Sequence, residues 1–159
     1  VLVVQAEHGI LISGDALWAN GYGFVMPAAL DQQALPAARA TLDMLAALPI
    51  RVVIPGHGDV FTDVAAALDR AYRRTAAFEA DQTRVARYAV KALLAFTLLH
   101  RRRMALAELP AYVMRIGILR DINAAVLHLT PEALAAMLVE ELVRAGAIHV
   151  HEDSLLAAT

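Results

Sequence analysis

Two short stretches carry side chains able to hold a metal ion: Ser13-Gly14-Asp15-Ala16-Leu17-Trp18 and Ile54-Pro55-Gly56-His57-Gly58-Asp59. Asp15 offers a carboxylate oxygen and His57 a neutral imidazole nitrogen, the donors that Zn²⁺ or a similar divalent ion accepts in a chain without cysteine. Each follows an apolar run of strand length, in a loop where glycine permits tight turns and close backbone approach. Taken singly, an Asp such as Asp15 is more often a turn former or helix cap, and a His such as His57 more often a loop residue after Pro-Gly. The information lies in their joint occurrence, about 40 residues apart with a helix between them. His149 and His151, on one face of a strand, form a weaker pair. Trp18, the only tryptophan, either lines a pocket or packs on the strand core. Met104, Met114 and Met137 lie in apolar helical patterns and are expected in the core.

The elements that must position these residues follow from pattern. Val1–Val4 and Ile10–Ser13 flank the link Glu7-His8-Gly9, the outline of a hairpin. Ala34 to Leu48 reads as a helix with Leu35, Leu42, Leu45 and Leu48 near one face, closed by Pro49. Arg51 to Ile54 is a β-branched strand ending at Pro-Gly-His-Gly, where α/β folds place chemistry. Asp63 caps a helix over Ala65–Glu79, and a further helix starts near Asp81 with Val85, Tyr88, Leu93, Phe96 and Leu99 as a core-facing stripe. A turn at Arg101–Arg103 precedes a short helix over Leu106–Arg115, with Pro110 tolerated in its first turns. Thr130-Pro131-Glu132 is a strong helix start, Leu134, Leu138 and Leu142 continue that helix, and Gly146 closes it. Ile148–His151 and Leu155-Leu156 form a terminal hairpin. Three helices followed by a hairpin is the order of a winged helix, and the change of pattern near residues 80–84 marks a domain boundary.

The two motifs, in this order, resemble the C-terminal half of the metallo-β-lactamase fold superfamily. Its members carry Gly-Asp-(Ala/Thr)-Leu-(Phe/Trp), whose Asp bridges two metals, and later a strand ending in Pro-Gly-His-Gly, whose His completes the second metal position. The resemblance implies that Asp15 is the bridging ligand and His57 the last histidine ligand. It also implies that Tyr22-Gly-Phe-Val-Met-Pro27 shapes the substrate-side rim. The family's leading signature, His-x-His-x-Asp-His, does not occur here, and His8 sits in a hairpin link rather than a strand-end loop. A catalytic zinc takes about three protein ligands and an open position for water. The implied fold is therefore α/β, the C-terminal half of an αββα sandwich over residues 1–82, joined to a mainly α winged-helix-like domain over 83–159. The implied parent is a metal-dependent hydrolase of an ester, thioester or similar bond, with two divalent ions, zinc foremost, and a small-molecule substrate. This chain is expected to bind those ions weakly or not at all and to be inactive alone. The start at Val1, without methionine, reads as an interior one.

Composition bounds the alternatives. The 159 residues are 59% hydrophobic and 19% charged, which excludes disorder. A mean hydropathy of +0.53 is inflated by alanine, and no run of about 18 uncharged apolar residues exists to span a membrane. Absence of cysteine leaves the compartment open, with cytoplasm the default. The net charge of −2 hides eight cationic side chains from Arg84 to Arg120 opposed there by Glu108 alone, followed by a stretch in which only Arg144 opposes six acids. Such blocks serve an anionic partner or complement each other within the fold. Nucleic acid is disfavoured, because the helix expected to read a groove carries Glu132, Glu140 and Glu141. A half sandwich exposes apolar sheet, so a second reading is an interaction module forming a dimer or associating with the other half.

Overall fold

A computed structural model describes residues 2–5 and 7–158; the expectation for Val1 lies outside them. The chain divides into two units, Val1–Gln82 and Thr83–Thr159, and the fold is mixed α/β.

In the first unit β1 (Val3–Gln5) and β2 (Ile10–Gly14) form the expected antiparallel hairpin. The helix α1 (Ala34–Ala46) then returns the chain so that β3 (Val52–Pro55) lies parallel to β2, giving the order β1-β2-β3. Alternation sorts the side chains into two faces. Leu11 and Val53, paired in register, are fully buried together with Leu42 and Leu45 of α1. On the opposite face Val3, Ile12 and Ile54 are register neighbours and stay 51%, 47% and 39% exposed. The helix α2 (Val64–Ala80) starts at Asp63, whose carboxylate accepts the Ala66 N–H, and buries Ala67, Ala71, Thr75 and Phe78. It packs on α1, where Tyr72 donates to Asp43 at 2.7 Å and Arg39 pairs with Glu79 at 3.3 Å.

The second unit opens with α3 (Gln82–Arg101). Its buried face differs from the expected stripe: Val85, Ala86, Ala89, Val90, Leu94 and Leu98 are inside, whereas Phe96 and Leu99 are 43% and 59% exposed. The alanines explain the rotation. A pattern read from large side chains overlooks Ala86 and Ala89, whose small size lets neighbours approach that side closely. A strand then joins the sequence of helices: β4 (Arg103–Ala105) precedes a 3₁₀ turn, α4 (Leu109–Arg115), α5 (Gly117–Ile122) and a π-helical turn over Asn123–Leu127. The helix α6 (Pro131–Arg144) begins at Thr130, whose hydroxyl accepts the Ala133 N–H. It ends in a Schellman cap, with Gly146 at φ 67° and its neighbour's N–H returned to Leu142. The hairpin of β5 (Ile148–His151) and β6 (Ser154–Ala157) closes the unit, with β6 central in the order β4-β6-β5.

Much of the charge asymmetry is paired within this unit. Glu141 of α6 receives both Arg87 and Lys91 of α3, the latter at 2.7 Å. Arg101 and Arg115 share Glu108, and Arg103 reaches Ser154 and Glu152. Among the described residues no single helix is long and apolar enough to cross a membrane.

Burial raises the carboxyl pKa of Glu141, but hydrogen bonds from Lys91 and Arg87 outweigh it, and the net shift is downward. A depressed folded pKa contributes stability that is present above the unfolded value and lost as pH falls through the folded one. Glu141→Gln is therefore expected to cost about 1 kcal/mol at pH 7, the partners being partly exposed. Urea unfolding should show the gap to the parent closing as pH drops below the ordinary carboxylate range. A gap that stays constant from pH 7 to pH 3 contradicts the assignment.

Candidate functional site

Because β2 and β3 run parallel, their carboxyl ends finish side by side, the place where open α/β sheets bind ligands. Asp15 and His57 stand just beyond these ends. The Gly56 N–H donates to the Gly14 carbonyl at 2.8 Å, tying the two loops together. Asp15 Oδ1 then lies 3.6 Å from His57 Nε2, longer than a normal hydrogen bond. Two donors on a tetrahedral ion, each about 2.0–2.2 Å from it, stand ~3.4 Å apart, so the spacing suits a shared ion. Both side chains are open to water, at 64% for Asp15 and 52% for His57.

In kind and spacing, then, the pair matches two positions of a divalent site. In number it does not. Among the described residues no group of three or more His, Asp or Glu side chains converges, and a catalytic zinc needs about three protein donors. The described residues alone do not fit a resident catalytic ion. His8 lies in the β1–β2 link, where its N–H bonds the Gln5 side chain, and His149 and His151 are exposed on β5.

The loops are held from below. A bulge between Ile12 and Gly14 buries Ser13, whose hydroxyl donates to the Leu17 carbonyl at 2.6 Å and closes the turn carrying Asp15. Trp18 donates from its indole to the Gly14 carbonyl at 3.1 Å and meets the His57 ring edge-on, with centroids 5.2 Å apart. It thus braces the histidine directly, beyond the pocket-lining or core-packing roles that its sequence position suggests. Gly23 returns to Asp15, its N–H on the Asp15 carbonyl at 2.7 Å; a Cβ there would stand 2.7 Å from the Asp15 Cβ. Between Trp18 and Gly23 the chain is clamped by α2. Arg70 donates to Ala19 at 2.7 Å, Arg74 to Asn20 at 2.6 Å and to Tyr22 at 3.0 Å, and the Tyr22 hydroxyl pairs with Thr75. Arg74 also stacks on the Tyr22 ring at 5.7 Å and fills the space that glycine leaves at position 21, where φ is 129°. No sequence signal marked Arg70 and Arg74, since their acceptors are backbone carbonyls some 50 residues away.

An α/β unit with a carboxylate and an imidazole at adjoining strand ends is the class that fold and site define. The family model described as the Metallo-beta-lactamase superfamily matches residues 1–57, a span that ends on His57. Among solved structures, the chain is similar to the crystal structure of a metallo-beta-lactamase family protein from Thermus thermophilus. Identity is 22% and the TM-score 0.41, over 98% of this chain and 44% of that one. The chain thus spans less than half the length of that protein. No curated protein matches it.

Removing the Arg74 clamp should loosen the loop that seats Trp18 against His57. Arg74→Ala is expected to cost about 1.5–3 kcal/mol in urea unfolding, the range for hydrogen bonds to a charged group. It should also shift the emission of the lone tryptophan toward the red, with Arg74→Lys intermediate. Unchanged emission in a destabilised Arg74→Ala protein would show that the clamp does not set the Trp18 position.

Proposed function

We propose that residues 1–82 are the C-terminal half of a metallo-β-lactamase-like domain. In the whole protein Asp15 and His57 hold divalent ions, zinc foremost, of a hydrolase acting on an ester, thioester or similar bond of a small molecule. The observation that carries the reading is the 3.6 Å approach of Asp15 to His57 at the ends of two parallel strands, within the span that matches the superfamily. Residues outside these 159 supply the remaining donors. Residues 83–159 are read as a winged-helix-like appendage. Support comes from β4, which lies between the first two helices of the unit and joins the terminal hairpin as its third strand. Nucleic acid is not proposed as a partner, because Glu132 and Glu140 are exposed on α6.

A second reading, self-association, is favoured by the exposed row Val3, Ile12 and Ile54, since contiguous apolar surface drives association. Sedimentation velocity of the 159-residue chain should then show a dimer or larger species. A monodisperse monomer counts against this reading.

The metal reading is tested on the protein expressed from its complete gene. Asp15→Ala and His57→Ala should each reduce Zn²⁺ affinity by more than the ~10–100-fold typical of losing an outer-shell partner, and should abolish hydrolysis of a thioester probe. Full zinc content and activity in either variant would falsify the assignment.

A further inference from the structure

The strand β5 lies at the edge of the order β4-β6-β5 and is paired there with β6 alone. The phase of that pairing is fixed. The Ala158 N–H donates to the Ala147 carbonyl at 3.0 Å, so by alternation the hydrogen-bonded pairs are Ala147–Ala158, His149–Leu156 and His151–Ser154. The N–H and C=O of Val150 therefore point to the open edge, where no backbone group among the described residues meets them. Its side chain is 43% exposed. Edge strands are commonly blunted by proline, lysine or a bulge. β5 contains neither residue and pairs with β6 in unbroken register. What it carries instead are His149 and His151, both exposed and, by strand alternation, on the face opposite to Val150. Neither imidazole enters a hydrogen bond or ion pair among the described residues.

A two-fold axis at Val150 satisfies the open edge and the histidines together. Antiparallel pairing with β5 of a second copy exchanges the N–H and C=O of Val150 across the axis. It also sets His149 of each copy opposite His151 of the other, as non-hydrogen-bonded pairs, the closer kind. Imidazoles spaced ~7 Å along each strand, with Cβ atoms ~4.5–5.5 Å apart across the pair, then stand at four corners of one face. Four neutral imidazole nitrogens make a tetrahedral set for Zn²⁺. One copy supplies half of that set. Glu152 and Asp153 follow in the turn and add negative charge beside the cation. Arg103, the cation on the same sheet face, is already engaged by Ser154 at 2.9 Å and Glu152 at 4.0 Å.

We propose that the open edge of β5 pairs with that of a second copy and that one Zn²⁺ is held between them by His149 and His151 of both copies. The proposal rests neither on the metal-hydrolase reading nor on the exposed row Val3, Ile12 and Ile54. The test is sedimentation equilibrium of the 159-residue chain in EDTA and then in zinc chloride, repeated on His57→Ala so that the Asp15–His57 pair takes up no ion. Zinc should double the mass found in EDTA, whatever that mass is, and in His57→Ala the doubling should be complete at one ion per two chains. His149→Ala and His151→Ala should each abolish it. Val150→Pro removes the outward N–H but no bond to β6, so with native circular dichroism it should weaken the doubling about tenfold, as expected for losing two backbone hydrogen bonds. An unchanged mass in zinc, a doubling that survives either alanine variant, or one that needs an ion per chain in His57→Ala overturns the proposal. So does full doubling of Val150→Pro, because the ion then joins the copies without strand pairing. Failure of the metal-hydrolase reading shows separately, as activity of the complete protein indifferent to Asp15→Ala and His57→Ala.

Discussion

The parallel pairing of β2 with β3 is the constraint on which the rest of the first unit depends. Its register places Ile10 opposite Val52, Leu11 opposite Val53 and Ile12 opposite Ile54, and the bulge then brings Gly14 to Pro55. The Gly56 to Gly14 hydrogen bond continues the ladder one step into the loops. A slip of one residue would move Leu11 out of the core, put Ile12 in its place and separate the two donors by a further ~3.3 Å. Burial of Leu11 and Val53 therefore fixes the position of Asp15 and His57, although neither donor is itself buried. Core packing sets the geometry of an exposed site.

A second layer of control is polar. The loop from Trp18 to Gly23 has little regular structure, a single bridge between Trp18 and Gly21, and its carbonyls would otherwise face water. Arg70 and Arg74 bind three of them from α2, and the Tyr22–Thr75 pair adds a buried hydroxyl contact. Charge-assisted bonds to carbonyls hold a loop more firmly than neutral ones. The second unit uses its charges differently: Arg87 and Lys91 neutralise Glu141, which lies largely out of solvent, so ions there join helices rather than order a loop. Of the same block of positive charge, Arg101 and Arg115 pair with Glu108 and Arg103 with Glu152.

What the sequence made legible were features with local causes. The hairpin, the helix between β2 and β3, the Asp63 and Thr130 caps and the Gly146 terminator each depend on a run of nearby residues, and each lies where the sequence places it. The juxtaposition of Asp15 and His57 was legible only through the resemblance of their two motifs to a known superfamily, since each residue alone is more often a turn or loop residue. The buried face of α3 was not, since hydrophobic size misleads where alanines line the contact. Neither was β4, three residues long with Arg103 at its start, whose strand character comes from pairing with β6 rather than from its own composition. The Arg74 clamp lay furthest beyond reach, for its partners are carbonyls common to every residue type.

The uncovered face of the sheet and the shortage of donors point the same way. Strands covered on one side alternate apolar and polar residues, whereas those covered on both read as continuous apolar runs. β2 and β3 are of the second kind: Ile10, Leu11, Ile12 and Val52, Val53, Ile54 leave no polar face, yet Ile12 and Ile54 meet solvent. Asp15 and His57 show the same imbalance in chemical form, with two donors set at a separation that suits an ion and, among the described residues, no third to complete it. Under the proposed reading, one covering surface would bring apolar side chains to Val3, Ile12 and Ile54 and further donors to Asp15 and His57. One contact would then both exclude water from the sheet and lower the dielectric around the pair, which strengthens ion–ligand attraction.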